Sequence, residues 1–144
     1  MAKVAELTSS TGKVFLTVEY DEVNNWVYNC WNGYVSPENI RQGCLAVLEA
    51  FQYQESVCIL NDNRQLVGRW DDSVEWIEKE WMPRALRAGL LYFAHVANQE
   101  SFAAASAAQL SSRTHGLFEM CIFGDLQQAQ KWLKACQQAG QNHL

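Results

Sequence analysis

The sequence predicts a single α/β domain with a mostly parallel five-stranded sheet, in the order β-β-α-β-α-β-α-β-α. Three observations carry this. Short apolar, β-branched or aromatic runs alternate with stretches whose apolar residues recur at helical spacing, the pattern of repeated strand–helix–strand units. The chain has 144 residues, the size of one ordinary domain. Its composition, 49% apolar and 19% charged, is that of a globular chain and not a disordered one.

Val14 to Val18 reads as the first strand, with β-branched and aromatic residues around Thr17. Tyr20 to Asn25 supplies polar turn residues. Trp26 to Trp31 is the second strand, close enough to the first to form an antiparallel hairpin. Ser36-Pro37-Glu38 opens a helix, with Ser as N-cap, Pro at the first helical position and an acid in the first turn. Ile40, Cys44, Val47, Leu48 and Phe51 follow as its buried stripe. Val57 to Leu60 is a continuous apolar run, expected as a strand covered on both faces, with Asn61 to Arg69 as a loop.

Asp71 or Asp72 is the expected cap of the next helix, Asp72 and Glu75 having the spacing of a capping box. Val74, Ile77, Trp81 and Ala85 mark its inner face. Pro83 inside this pattern predicts a kink or break near Trp81-Met82, and Gly89 a stop. Leu90 to Val96 is a further apolar strand, and Asn98 is the expected cap of an Ala-rich helix reaching about Leu110. Phe118 to Phe123 is the last strand. Asp125 and Gln128 open a final helix lined by Leu126, Ala129, Leu133 and Cys136. Residues 1–11 are read as an N-terminal lead, 12–139 as the domain and 140–144 as a loose tail.

Charge and cysteine usage narrow the function classes. The net charge is −5, the acidic excess lies in residues 1–72, and no Lys/Arg stripe is present. The electrostatic footprint of a nucleic-acid binder is therefore missing, and an anionic membrane surface is disfavoured. No apolar run approaches the roughly 20 residues of a bilayer-crossing helix, and Met1 to Ser10 lacks the apolar segment of a secretory signal. Five cysteines, an odd number without C-x-x-C spacing, predict reduced thiols at core positions and a cytoplasmic location. The three histidines are scattered, so no metal site is predicted, and nothing implies a cofactor. The chain contains no G-x-S-x-G, P-loop or G-x-G-x-x-G. No catalytic residue is assigned, and the expectation is a non-enzyme.

Ligands of open α/β sheets bind outside the carboxyl ends of the strands. Asp62 and Arg64 fall there, and Trp31, Tyr34, His95 and Asp125 are expected at the same edge. Together they form a candidate rim able to hold a small apolar or anionic ligand. A structural reading competes: Asp62 orders the turn through Arg64 or a backbone N–H, and His95 is a satisfied strand-end residue. Trp70, Trp76 and Arg84 form a candidate interaction patch on the second helix, with Trp70 or Trp76 partly exposed. A protein partner or a second copy would use it, and a homodimer is the simplest assembly. His115 falls in an expected polar loop and His143 in the tail.

Four segments occur in a suggestive order: Trp31-Asn32-Gly33-Tyr34, Leu60-Asn61-Asp62-Asn63-Arg64, Glu80-Trp81-Met82-Pro83-Arg84, and Leu126 to Leu133. Over about residues 12–136 the chain resembles the SpoIIAA-like group that includes STAS domains, and within it small stand-alone bacterial proteins of the Bacteroidetes type. The resemblance implies a βα superhelix and a non-enzymatic regulatory or signalling module that binds protein partners. The wider fold extends to CRAL-TRIO lipid-binding domains, which implies the alternative, a small-ligand or lipid carrier with a groove between helices. Partner-switching members carry a phosphorylatable Ser, in a D-S-S-G context, where the helix after the third strand begins. This chain reads Trp70-Asp71-Asp72-Ser73-Val74 there. Ser73 is the candidate phosphorylation position, and the Ser-Gly pair is missing.

Overall fold

The computed structural model describes residues 2–98, 100–114 and 116–141. Its core is a mixed six-stranded sheet whose spatial order is the chain order: β1 (Ala2–Thr8), β2 (Val14–Asp21), β3 (Trp26–Gly33), β4 (Cys58–Leu66), β5 (Tyr92–Val96) and β6 (Glu119–Phe123). β1, β2 and β3 pair antiparallel, and β3 to β6 pair parallel. Four helical segments complete the domain: α1 (Pro37–Gln52), the composite stretch 71–87 called α2, α3 (Phe102–Ser111) and α4 (Leu126–Gln141).

The sixth strand corrects the five-stranded expectation. Residues 2–8, read as a lead, pair along β2 with Ala5 opposite Val18 and Leu7 opposite Leu16. Only Ala5 and Leu7 of this strand pack on the core. The apolar signal is therefore two residues long, and the outer edge carries an exposed Lys3–Glu6 ion pair at 2.5 Å. Charged edges of this kind discourage further strand pairing.

Three more expectations are revised. The segment after Leu60 continues as strand to Leu66, with the side chains of Asn61, Asp62 and Asn63 buried and hydrogen-bonded and those of Arg64 and Gln65 exposed. The Asp72–Glu75 capping box does not form. α2 begins as a 3-10 turn (Asp71–Ser73) without a side-chain cap, and Asp71 instead pairs with Arg69 at 2.6 Å and accepts from Ser106 Oγ. Ser101 rather than Asn98 caps α3. At α1 the expected Ser36 cap is present as a full capping box with Asn39. His115 and residues 142–144, expected as loop and tail, lie outside the described residues.

The irregularity expected from Pro83 is a change of helix type. Val74–Trp76 is α, Ile77–Trp81 is a π turn, and Met82–Arg87 returns to α with Pro83 in its first turn. The Met82 N–H bonds to the Ile77 carbonyl, five residues back. Pro83 has no N–H to offer the next carbonyl.

Strand alternation divides the interior in two. On one face, α1, α2 and α3 bury Phe51, Val74, Trp81 and Ala107 against Leu16, Val18, Ile59 and Phe93. On the other, α4 buries Ala129 and Leu133 against Trp26, Cys58, Leu60 and Ala94. α1 lies so close to the sheet that a Cβ on Gly43 would stand 2.3 Å from Trp31 Cη2. In an open helix, Gly→Ala gains about 1 kcal/mol. Here Gly43→Ala overpacks a buried ring, and a net loss of roughly 1–3 kcal/mol in urea denaturation is expected. A rise in midpoint would show that α1 does not rest on Trp31.

Candidate functional site

The fourth residue of each of three successive parallel strands, β3, β4 and β5, is polar. Asn29 of β3 stands opposite Asn61 of β4, and Asn61 opposite His95 of β5. All three are buried, as is Asn63 one step further along β4. They form the polar end of a cavity of about 60 Å³ between the sheet and α1, α2 and α3. Its other walls are apolar: Ile40 and Val47 of α1, Ile77 and Trp81 from the two ends of the π turn, Leu110 of α3, and Phe93 of the sheet. Cys44 also lines it, and Trp81 Nε1 donates to the Cys44 carbonyl at 2.8 Å, tying α2 to α1 beside the cavity.

The hydrogen-bond pattern follows from one atom. Trp31 Nε1 can only donate, and it lies 3.0 Å from Asn61 Oδ1. The Asn61 carbonyl therefore points at Trp31 and also accepts from Asn29 Nδ2 at 3.4 Å. Its amide nitrogen donates to Asn63 Oδ1 at 3.0 Å and faces His95 Nδ1 at 3.3 Å. Since that nitrogen donates, His95 Nδ1 accepts, and the proton of a neutral imidazole sits on Nε2.

Three buried polar atoms remain without a partner among the described residues: Asn29 Oδ1, Trp70 Nε1 and His95 Nε2. All three residues line the cavity. Buried polar groups are rarely left unpaired, and each such case calls for a reason. Burial pushes the His95 pKa down to about 4, against a smaller opposing effect of the Asp62 charge. Burial pushes the Cys44 thiol up to about 12. Both ionisable side chains lining the cavity are thus uncharged near neutral pH.

The structure divides the expected rim. Trp31 and His95 belong to the cavity. Asp62 points from the opposite face of β4, where it accepts from Tyr28 Oη at 2.6 Å, from the Arg64 backbone at 3.1 Å, and from Arg64 Nε and Nη2 at 3.0 and 2.8 Å. Burial alone would raise the Asp62 carboxyl, but these bonds outweigh it and hold its pKa below the ordinary value. Asp125 accepts from the backbone of Gln127 and Gln128 at the start of α4. Tyr34 is exposed.

Of the candidate patch, Trp70 is inside, 7% exposed. Trp76 is half-buried, with the Arg41 guanidinium 6.0 Å above its ring. Arg84 lies 4.0 Å from Glu80 and borders an open groove between α1 and α2. Ser73 is buried. Asn29, Asn61, Asn63 and Cys44 line the cavity but were not among the rim residues expected from sequence, Cys44 having been read only as part of the α1 stripe. The available signal was the polar residue at the same place in three apolar strands. No protein-family model and no curated protein sequence matches the chain.

Two outcomes test this geometry. Unfolded, His95 titrates near the ordinary value of 6.5, and folded near 4. Between those values the unfolded chain binds a proton that the folded one does not. Its contribution to stability is complete above pH 6.5 and falls by roughly 3 kcal/mol as pH drops to 4. His95→Gln should flatten that part of the stability–pH curve; a curve parallel to wild type would contradict the buried neutral imidazole. Asp62→Ala should lower stability by roughly 1–3 kcal/mol, since it strips the Tyr28 hydroxyl and the Arg64 fork of their acceptor. An unchanged denaturation midpoint would contradict that role.

Proposed function

We propose that this chain is a non-enzymatic binding module that holds a small ligand in the cavity beneath α1, α2 and α3. The single observation that carries this is a mainly apolar cavity lined by Asn29, Trp70 and His95, the three described residues with an unpaired buried polar atom. Binding sites combine apolar walls with a few placed polar groups in this way. Catalysis is less well served. The imidazole is neutral, its Nδ1 faces an amide and not a carboxylate, and the neighbouring thiol is protonated.

The kinship with SpoIIAA/STAS-like proteins is part of the proposal. The consecutive parallel order β3-β4-β5-β6, with α1, α2 and α3 packed on one face, supports it, being the winding of a βα superhelix. The position of α2 supports a regulatory role. Its π turn, a feature frequent at functional sites, supplies Ile77 and Trp81 to the cavity wall, so occupancy is felt by the helix that also carries Trp76 and Arg84 outward.

Ligand-detected NMR screening of small fragments is the test. Wild type should yield saturable binders, and Val47→Phe, which fills the cavity from α1, should lose them. Cys44→Leu, a smaller intrusion, should weaken the same binders and serves if Val47→Phe does not fold. Absence of saturable binders, or binders indifferent to both substitutions, would overturn the reading.

A further inference from the structure

The two edges of the sheet are built differently. β1 is guarded: it carries the Lys3–Glu6 ion pair, and its register with β2 slips twice, between Lys3 and Ala5 and between Leu7 and Thr8. Charges and bulges keep other strands off an edge. β6, at the opposite end of the sheet, has a regular pairing with β5 over its whole length. Its residues Met120, Cys121, Ile122 and Phe123 are apolar and half-buried, and Glu119 is its one charge.

The ladder fixes which backbone groups of β6 face outward. The Glu119 N–H donates to the Leu91 carbonyl at 2.9 Å, and the Phe123 carbonyl accepts from the Ala97 N–H at 2.9 Å. In a parallel ladder every second residue bonds the same neighbour, so Glu119, Cys121 and Phe123 face β5. The N–H and C=O groups of Met120 and Ile122 face the free edge, and no described residue bonds to them. A further strand matches groups at this two-residue spacing, and a second β6 does so about a two-fold axis through Cys121. Met120 then meets Ile122 of the second copy, and Ile122 meets its Met120, in pairs that each exchange both hydrogen bonds. Glu119 falls opposite Phe123, so like charges do not meet.

α3, which packs on β6, is shaped for the same neighbour. Ser106 Oγ accepts from the Trp70 N–H at 2.9 Å and donates to Asp71, which turns that flank of α3 to the start of α2. Ala104 and Ala108, two residues either side of Ser106, lie about 160° round the helix from it. They therefore occupy the flank away from α2, Ala104 half-buried and Ala108 exposed. With no atom beyond Cβ at either position, that flank leaves room for a second helix.

We infer that two copies of this chain join edge to edge through β6, antiparallel about Cys121, with their α3 helices side by side on one face of a continuous sheet. The two-fold pair covers both β6 edges and leaves the guarded β1 edges outermost, so assembly stops at two. This stands apart from the cavity, whose occupancy it does not require.

Sedimentation of the full chain under reducing conditions is the test. Wild type should form a concentration-dependent dimer. Ile122→Pro removes an outward N–H and no bond to β5, and should weaken the dimer by about tenfold or more. Ala108→Glu, at an exposed helix position, should do the same and serves if Ile122→Pro does not fold. In this register the two Cys121 Cα atoms lie about 4.5 Å apart, within the range of a disulfide, about 4.4–6.8 Å. Mild oxidation should therefore link the copies through Cys121, and Cys121→Ser should lose the link while keeping the dimer. A monomer at every concentration, a dimer indifferent to both Ile122→Pro and Ala108→Glu, or a dimer that oxidation does not link at Cys121 would each overturn the inference.

Discussion

The hydrogen bond from Trp31 Nε1 to Asn61 Oδ1, 3.0 Å long, orients the interior of this protein. An indole nitrogen has no second role to play, so the Asn61 amide has one orientation and its three other neighbours inherit theirs. Asn29 turns its amide N–H to Asn61, Asn63 accepts, and His95 is left with a proton on Nε2. The same Trp31 ring is what Gly43 makes room for, so the placement of α1 and the polarity of the cavity depend on one side chain. A polar row buried this way is costly unless connected. Here it is connected along the row, and only Asn29 Oδ1 and His95 Nε2 of the row are left unpaired.

The two faces of β4 illustrate how alternation separates roles. Asn61 and Asn63 face α1 and α2 and build the cavity. Asp62, between them in sequence, faces the other way and closes a compact unit with Tyr28 and Arg64. That unit is a charged pair half in solvent, with four hydrogen bonds on one carboxylate. It organises the end of β4 and carries no free group towards the cavity. Neighbours in the chain thus serve different purposes, and the strand period decides which is which.

Much of the architecture was legible in the sequence. The hairpin, the Ser36-Pro37 helix start, the apolar strands and the disturbance near Pro83 all rest on local chemistry that the tertiary structure respects. What was not legible has physical reasons. β1 contributes only Ala5 and Leu7 to the core, too few for a periodicity. β4 runs past Leu60 through five polar residues, the first four of them joined in side-chain hydrogen bonds, and no local rule signals that. The rim of Asp62, His95 and Asp125 assumed that strand-end residues converge. His95 and Asp62 lie on opposite faces, and Asp125 is occupied with the first turn of α4. The cavity itself arises from register: Asn29, Asn61 and His95 are far apart in sequence and meet because three strands align at the same level.

The protonation state of His95 concentrates the account in one observable. Long-range 15N–1H correlation spectra of histidine-labelled protein at neutral pH report the tautomer directly. A neutral ring with its proton on Nε2 is expected. A ring protonated on Nδ1, or an imidazolium, would mean that Asn61 does not donate to it. The chain of orientations that begins at Trp31 would then be broken.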